Sequence, residues 1–205
     1  HEALAGTGHQ GRLLYWWPAF AAIARSGDIG FTTGPFSMDQ ARTPVGQYFT
    51  IWRRQPDGRW KWIYDGGVGP ISAADQLIGL DDPHVYEMMI ADRGLGPARA
   101  LEAVRALEAQ GDLERYLAAD SLVFRSRRPR VIGGGGAFDP SAEYVVSHAE
   151  ASAAGDMAFL LGVARSPAPS GEVQEALFAR VWQLRKEGWR IIYDHLVIPR
   201  RPPAG

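Results

Sequence analysis

Apolar residues alternate with polar ones through two long regions of this chain, and a helical spacing appears only between these regions. In the first region, "RLLYWWPAFAAIARSGDIGFTTGPF" from Arg12 predicts two strands, with Gly27 and Asp28 in the tight turn between them. The following "GQYFTIWRRQPDGRWKWIYD", residues 46–65, predicts a second hairpin that turns at Gln55–Gly58. The two hairpins together predict a meander of four antiparallel strands.

The helical spacing follows Pro97, where Leu101, Val104, Leu107 and Leu113 recur and Gly111 divides the segment into two predicted helices. The weaker pattern of residues 71–96 predicts a linker with a short helix at Val85–Ala91. Beyond the helices the pattern predicts a short strand, a flexible "GGGG" loop and a second four-stranded meander. The predicted strands are Ser121–Phe124, Tyr144–Ala153, Met157–Ala164, Phe178–Leu184 and Trp189–His195.

The second meander repeats the first at the level of single residues. "RSGDIGFTTG" matches "AAGDMAFLLG", and the later strands also match. The matched positions are Trp52 with Trp182, Gly58 with Gly188, Tyr64 with Tyr193, and Asp65 with Asp194. We therefore predict two copies of one α+β unit, at residues 1–72 and 97–200, with residues 73–96 as the linker.

Helices precede the second predicted sheet, whereas the first sheet begins almost at the start of the chain. The opening "HEALAGTGHQ" has no initiator methionine and no signal-peptide pattern, so we expect the N-terminus of the protein to lie upstream. The first unit is predicted to lack its N-terminal helices in this chain. Its apolar sheet face then needs a cover from elsewhere.

Composition narrows the function classes. Of the 205 residues, 46% are hydrophobic and 22% charged, which is typical of a globular protein with a core. The net charge of -1 provides no basic excess for nucleic acid, and no apolar run reaches the roughly 18 residues that span a membrane. Cysteine is absent, and we predict neither a cofactor nor a metal, because His148, Asp156 and His195 do not form a convincing ligand set.

The predicted elements follow a recognisable order: two helices, a strand that begins after "LAAD", and a meander that ends in "W-x-x-x-Y-D". This order resembles that of the NTF2-like superfamily, also called cystatin-like or SnoaL-like. "SGDIGFTTGPF", "GQYFTIWRRQPDGRWKWIYDGG" and "HEALAG" are similar to a bacterial group of tandem proteins related to the DUF4440 family. The resemblance implies a bent sheet around a helix with a pocket at one end, and pairing through the sheets as a homodimer or an intramolecular pseudo-dimer. It implies export to the periplasm for some members; the residues themselves leave a cytoplasmic location equally open.

Polar residues on apolar strand faces are the candidate site residues. Strict alternation places Arg180 between Phe178 and Trp182, with Tyr48 and Thr50 on the matching strand of the first unit. The same alternation places Asp65 on the face of Ile63, and Asp194 on the face of Ile192, at the pocket end. We take Tyr48, Thr50, Arg180 and Asp194 as candidate ligand-binding residues. The structural alternative is an ion pair between Arg180 and Asp194.

The resemblance to ketosteroid isomerase, a member of the superfamily, does not extend to its catalytic groups. Its aspartate base corresponds to Arg125 here, and an arginine does not abstract protons at neutral pH. The leading hypothesis is a protein that binds a small, mostly apolar molecule with an anionic group near Arg180. The rivals are a cofactor-free isomerase, cyclase or dehydratase with Asp65 or Asp194 as general base, and a dimerisation scaffold with a collapsed pocket.

Overall fold

A computed structural model describes residues 13–70, 94–125, 130–168 and 171–199, together with the backbone of residues 84–85. The strands of the first of its two sheets are β1 (Tyr15–Trp16), β2 (Phe20–Ile23), β3 (Ile29–Ser37), β4 (Gly46–Arg54), β5 (Trp60–Val68) and β6 (His84–Val85). They lie in the order β5-β4-β3-β2-β6, with β1 beside β3. Strands β2 to β5 form the predicted antiparallel meander. Gly27 and Gly58 take positive φ in its turns, as predicted.

The later elements are α1 (Pro97–Glu108), a 3₁₀ turn (Leu113–Tyr116), β7 (Leu117–Arg125), β8 (Val131–Ile132), β9 (Glu143–Ala151), β10 (Met157–Pro167), β11 (Val173–Arg185) and β12 (Gly188–Val197). Their strands form the second sheet in the order β8-β7-β12-β11-β10-β9, with β7 parallel to β12. The second predicted meander, β9 to β12, is therefore confirmed. The strand predicted at Ser121–Phe124 is longer than expected.

Helix is scarcer than the α+β prediction implies. The described residues contain one α-helix, α1, and the second predicted helix is only a 3₁₀ turn because Gly111 and Asp112 end the helical spacing. Val85, expected to begin a short helix, lies in β6, which pairs with β2. The remainder of that predicted helix, most of the linker and the "HEALAG" segment lie outside the described residues.

The two sheets pack face to face through a shared cluster of buried apolar side chains. Phe49 of β4 and Tyr193 of β12 stack with ring centroids 4.2 Å apart. Removing such aromatic side chains from water stabilises a fold by roughly 1.5–3 kcal/mol each. Other members include Ile29, Phe31 and Ile51 from the first sheet and Leu122, Phe124, Met157, Phe159, Val181 and Ile192 from the second. We call the faces that contain this cluster the inner faces.

Reciprocal hydrogen bonds join the turns of the two sheets. Asp28, before β3, accepts a bond from the backbone N–H of Ala153 at 2.9 Å. Asp156, before β10, accepts one from the backbone N–H of Arg25 at 2.8 Å. Asp28 matches Asp156, and Arg25 matches Ala153, in the repeated segments. Each turn thus both donates a backbone N–H bond to the other turn and accepts one from it through its aspartate. Such reciprocity is the pattern of a two-fold symmetric interface.

The outer faces of the two sheets differ. Helix α1 covers the outer face of the second sheet, where Ala100 and Val104 pack with Leu160, Trp182 and Ile191. Residues 13–70 contain strands and turns but no helix to cover the first sheet. Trp62 is consequently 65% exposed on that face.

A β-bulge occurs at the same place in both sheets and corrects one prediction. The register shifts between Ile51 and Trp52 in the first sheet and between Val181 and Trp182 in the second. Because a bulge adds one residue to a strand, strict alternation fails there. Ile63 and Ile192 therefore pack against the inner cluster, and the expectation that they share a face with Asp65 and Asp194 is wrong.

Candidate functional site

Four buried charges form a chain behind the second sheet. Arg180 Nε donates to Asp194 Oδ2 at 2.7 Å, and Arg180 Nη1 donates to Glu108 Oε2 at 2.5 Å. Arg125 Nη1 lies 2.6 Å from Asp194 Oδ1, outside good hydrogen-bond geometry. Side chains of Arg180 and Asp194 are fully buried, and those of Glu108 and Arg125 are 7% and 12% exposed. Two cations and two carboxylates thus alternate and compensate one another.

Three elements bring these charges together. Alternation along β11 places Arg180 on the outer face between aromatic neighbours, and the register of β11 with β12 sets Arg180 opposite Asp194. Glu108 comes from the last turn of α1, where its other carboxylate oxygen accepts a bond from Trp182 Nε1 at 2.7 Å. Arg125 ends β7 and pairs in register with Leu196 of β12.

Aromatic rings surround the Arg180 guanidinium. Its Cζ lies 5.0, 4.8 and 4.9 Å from the ring centroids of Phe138, Tyr144 and Phe178. Burial opposes the charge of Arg180, yet the carboxylates of Asp194 and Glu108 raise its pKa above the ordinary value. The guanidinium therefore stays charged inside an aromatic environment.

A cavity of about 400 Å³ opens beside this chain of charges, and Arg125 contributes to its wall. The Nη2 atom of Arg125 is buried and has no hydrogen-bond partner among the described residues. Burial raises the pKa of Tyr144, another wall residue, to about 12, so its phenol stays protonated as a donor. The apolar part of the wall consists chiefly of Phe138, Ala142, Ala164, Ala176, Leu196 and Ile198, and the polar part also includes Asp139, Ser166 and Gln174.

The glycine loop shapes this cavity. Gly133 to Gly136 all take positive φ, a conformation that side-chain-bearing residues rarely adopt. Glu114 holds the loop by accepting bonds from the backbone N–H groups of Gly135 at 2.7 Å and Phe138 at 3.1 Å. The loop therefore functions as a wall of the cavity and carries the Phe138 ring to the guanidinium groups.

The outer face of the first sheet forms a second, open groove of about 490 Å³. Thr50 Oγ1 donates to Asp65 Oδ1 at 2.6 Å within it. Burial raises the pKa of Tyr48 to about 12, and its ring meets that of Trp16 edge-on at 5.2 Å. The other large aromatic lining residues are Phe36, Trp52 and Trp62.

The structure thus separates the predicted site residues into two places. Tyr48, Thr50 and Asp65 line the groove of the first sheet. Arg180 and Asp194 form the ion pair that was the structural alternative, and neither lines the cavity. Both oxygens of Asp194 face guanidinium groups, so this carboxylate is poorly placed to act as a base.

Sequence reasoning missed Glu108, Phe138 and the cavity-lining position of Arg125. Glu108 stands four residues after buried Val104 on α1, a spacing that places both on one helix face. Arg125 follows the buried run Ser121–Phe124, which indicates a strand end next to the core. The glycine loop determines the position of Phe138, and no feature of the sequence indicated that its ring would lie beside Arg180.

The histidines and Asp156 do not converge. His195 is buried between the sheets, where it contacts the hydroxyl groups of Tyr64 at 3.3 Å and Tyr193 at 3.1 Å. His148 is 56% exposed and lies 3.7 Å from Glu150. Asp156 accepts from Ser152 Oγ at 2.7 Å in its turn. Within the described ranges, no three His, Asp or Glu side chains are grouped as metal ligands.

No described helix is both long and apolar enough to cross a membrane.

Comparisons with known proteins give structural likeness at low identity. No protein-family profile and no curated protein matches the chain. Solved structures similar to it include an NTF2-like protein with a cystatin-like fold from Novosphingobium aromaticivorans, with 15% identity, a TM-score of 0.38, and coverage of 52% of this chain and 86% of that one. An NTF2-like protein from Pseudomonas putida has 15% identity, a TM-score of 0.33, and coverage of 52% and 83%. The association domain of C. elegans CaMKII has 16% identity, a TM-score of 0.34, and coverage of 49% and 95%.

Proposed function

We propose that the chain is a small-molecule-binding protein made of two tandem NTF2-like units that pack as an intramolecular pseudo-dimer. The sequence repeat supports this division, as do the matching bulges at Ile51/Trp52 and Val181/Trp182. The reciprocal bonds of Asp28 and Asp156 add a two-fold relation between the units. In this proposal α1 is the helical layer of the second unit, whereas residues 13–70 of the first unit contain strands and turns.

The ligand of the second unit is a mostly apolar molecule that carries an anionic group. The observation behind this assignment is the buried Nη2 atom of Arg125, a cavity-lining residue, which has no hydrogen-bond partner in the part of the chain that the structure describes. A buried donor without an acceptor costs about 1–3 kcal/mol, and a ligand oxygen would remove that cost. The apolar wall would bury the rest of the molecule.

Binding fits this geometry better than general-base catalysis. Asp194 is held by Arg180 and Arg125 and does not line the cavity. Its charge therefore serves to keep the two guanidinium groups compensated. The proposal assigns Arg125 to ligand contact and gives Arg180, Asp194 and Glu108 the task of holding Arg125 and the aromatic wall in place.

The test uses native mass spectrometry of the purified protein and titration with 1-anilinonaphthalene-8-sulfonate, an apolar anion whose fluorescence rises in apolar sites. Ala176→Leu fills the cavity, and Arg125→Met removes the unpaired donor while retaining length. Both variants should weaken binding about tenfold or more. Arg165→Met is the matched control, because Arg165 lies exposed on β10 and pairs with Glu175 at 2.9 Å. Equal binding by all four proteins would contradict the proposal.

A further inference from the structure

Thr50 and Arg180 occupy equivalent places in the two sheets. In the first sheet Thr50 is directly opposite Asp65 across β4 and β5. In the second sheet Arg180 is directly opposite Asp194 across β11 and β12. Both aspartates lie on outer faces, next to the same bulge. The two sheets therefore present the same carboxylate with different partners.

Asp194 has two cations, whereas Asp65 has none among the described residues. Arg180 and Arg125 compensate Asp194 at 2.7 and 2.6 Å. At Asp65 the arginine is replaced by a hydroxyl group, since Thr50 donates a 2.6 Å bond. A hydroxyl stabilises a carboxylate but brings no positive charge, and Asp65 is exposed in the groove whereas Asp194 is fully buried.

The space next to Asp65 is lined by aromatic rings. Trp16, Tyr48, Trp52 and Trp62 line the groove together with Asp65. Trp16 and Trp62 are 53% and 65% exposed, so their faces are open to a ligand. The Trp52 indole is fixed by its bond from Nε1 to Thr32 Oγ1 at 2.9 Å. Aromatic faces attract cations through the ring quadrupole, most strongly for tryptophan.

We propose that this groove of the first sheet binds an organic cation, a quaternary or protonated amine, whose charge lies between Asp65 and the tryptophan faces. The ligand provides the positive charge that Arg180 provides to Asp194 in the second sheet. An alkylammonium group suits the groove because its methyl groups bury apolar surface while its charge pairs with the carboxylate. This site is separate from the arginine-lined cavity and selects the opposite charge.

Choline and its neutral isostere 3,3-dimethyl-1-butanol test the proposal, because they differ only in nitrogen or carbon at the branched centre. Binding is followed by chemical shifts of the tryptophan indole N–H groups and by calorimetry. Choline should shift the indole signals and bind at least about tenfold more tightly than the alcohol. Equal affinity for the two compounds, or no response to choline at millimolar concentration, would overturn the proposal.

Two variants connect the response to the groove. Asp65→Asn keeps the shape and the contact with Thr50, so it should fold and lose about tenfold in choline affinity. Asp57→Asn is the matched control, since Asp57 is an exposed carboxylate in the turn of the same hairpin, 2.7 Å from Arg59. Choline affinity unaltered by Asp65→Asn, or lowered equally by Asp57→Asn, would count against the site. Binding of the anilinonaphthalene probe to the second sheet should be unchanged in both variants.

Discussion

Protonation of His195 should weaken the packing of the two sheets. The pKa of this imidazole is lowered to about 4 from an ordinary value of 6.5, chiefly by burial; the charge of Asp194 opposes this decrease and that of Arg125 adds to it. The neutral ring lies edge-on to Phe49 at 5.4 Å and between the hydroxyl groups of Tyr64 and Tyr193. Neither tyrosine provides a negative charge near neutral pH, so an imidazolium would be buried with only weak compensation.

The sign and size follow from linkage. The unfolded chain binds the proton near pH 6.5, and the folded protein only near pH 4, so stability falls as the pH drops between these values. The loss from this one residue is about 2 kcal/mol at pH 5 and about 3 kcal/mol at pH 4, relative to pH 7.5. Above pH 7 the residue contributes no pH dependence.

Urea unfolding at several pH values measures this loss, with His195→Gln to remove the titrating group. The difference in unfolding free energy between wild type and variant should change by about 2 kcal/mol from pH 7.5 to pH 5. His148→Gln, which alters an exposed imidazole, should follow the wild-type curve. A change under about 0.5 kcal/mol, or an imidazole that titrates above pH 6 by NMR, would refute the reasoning.

Urea unfolding also tests the other buried charges. Arg180→Met and Asp194→Asn should each destabilise the fold by about 3–5 kcal/mol, because the first leaves Glu108 and the second leaves Arg125 without its oppositely charged partner in a largely buried place. The double variant should cost at least about 2 kcal/mol less than the sum, and additivity would show that the pair is not coupled. Asp156→Ala should cost about 2–3 kcal/mol and Asp28→Ala about 1 kcal/mol, because Asp156 is 1% exposed whereas Asp28 is only half-buried, although each also accepts a bond from a serine of its own turn. Equal costs would show that the burial of Asp156 does not matter.

Local chemistry made the strands and turns predictable. In the "SGD" turn Gly27 has a φ of 64°, and in the "QPDG" turn Gly58 has a φ of 82°. Both angles lie in the left-handed region, which favours glycine. Alternation correctly placed Arg180 with Phe178 and Trp182 on one face, because the extra residue of the bulge, Ile192, lies in β12 and β11 keeps its alternation.

Contacts between distant elements were not predictable in the same way. The bulges that move Ile63 and Ile192 to the inner cluster arise from strand pairing, and no turn residue marks them. Glu108 meets Arg180 only because α1 lies across the second sheet. Arg125 reaches Asp194 through the parallel pairing of β7 with β12, a contact between residues far apart in sequence.

The reciprocal bonds of Asp28 and Asp156 join halves of one polypeptide, so the sheets associate without a second molecule. In a homodimer, every substitution on an outer face appears twice. When one chain contains both sheets, a substitution changes the outer face of one sheet and leaves the other as it was. The difference between Thr50 and Arg180 illustrates this. A single chain can therefore carry different side chains on its two outer faces while both sheets contribute to one inner core.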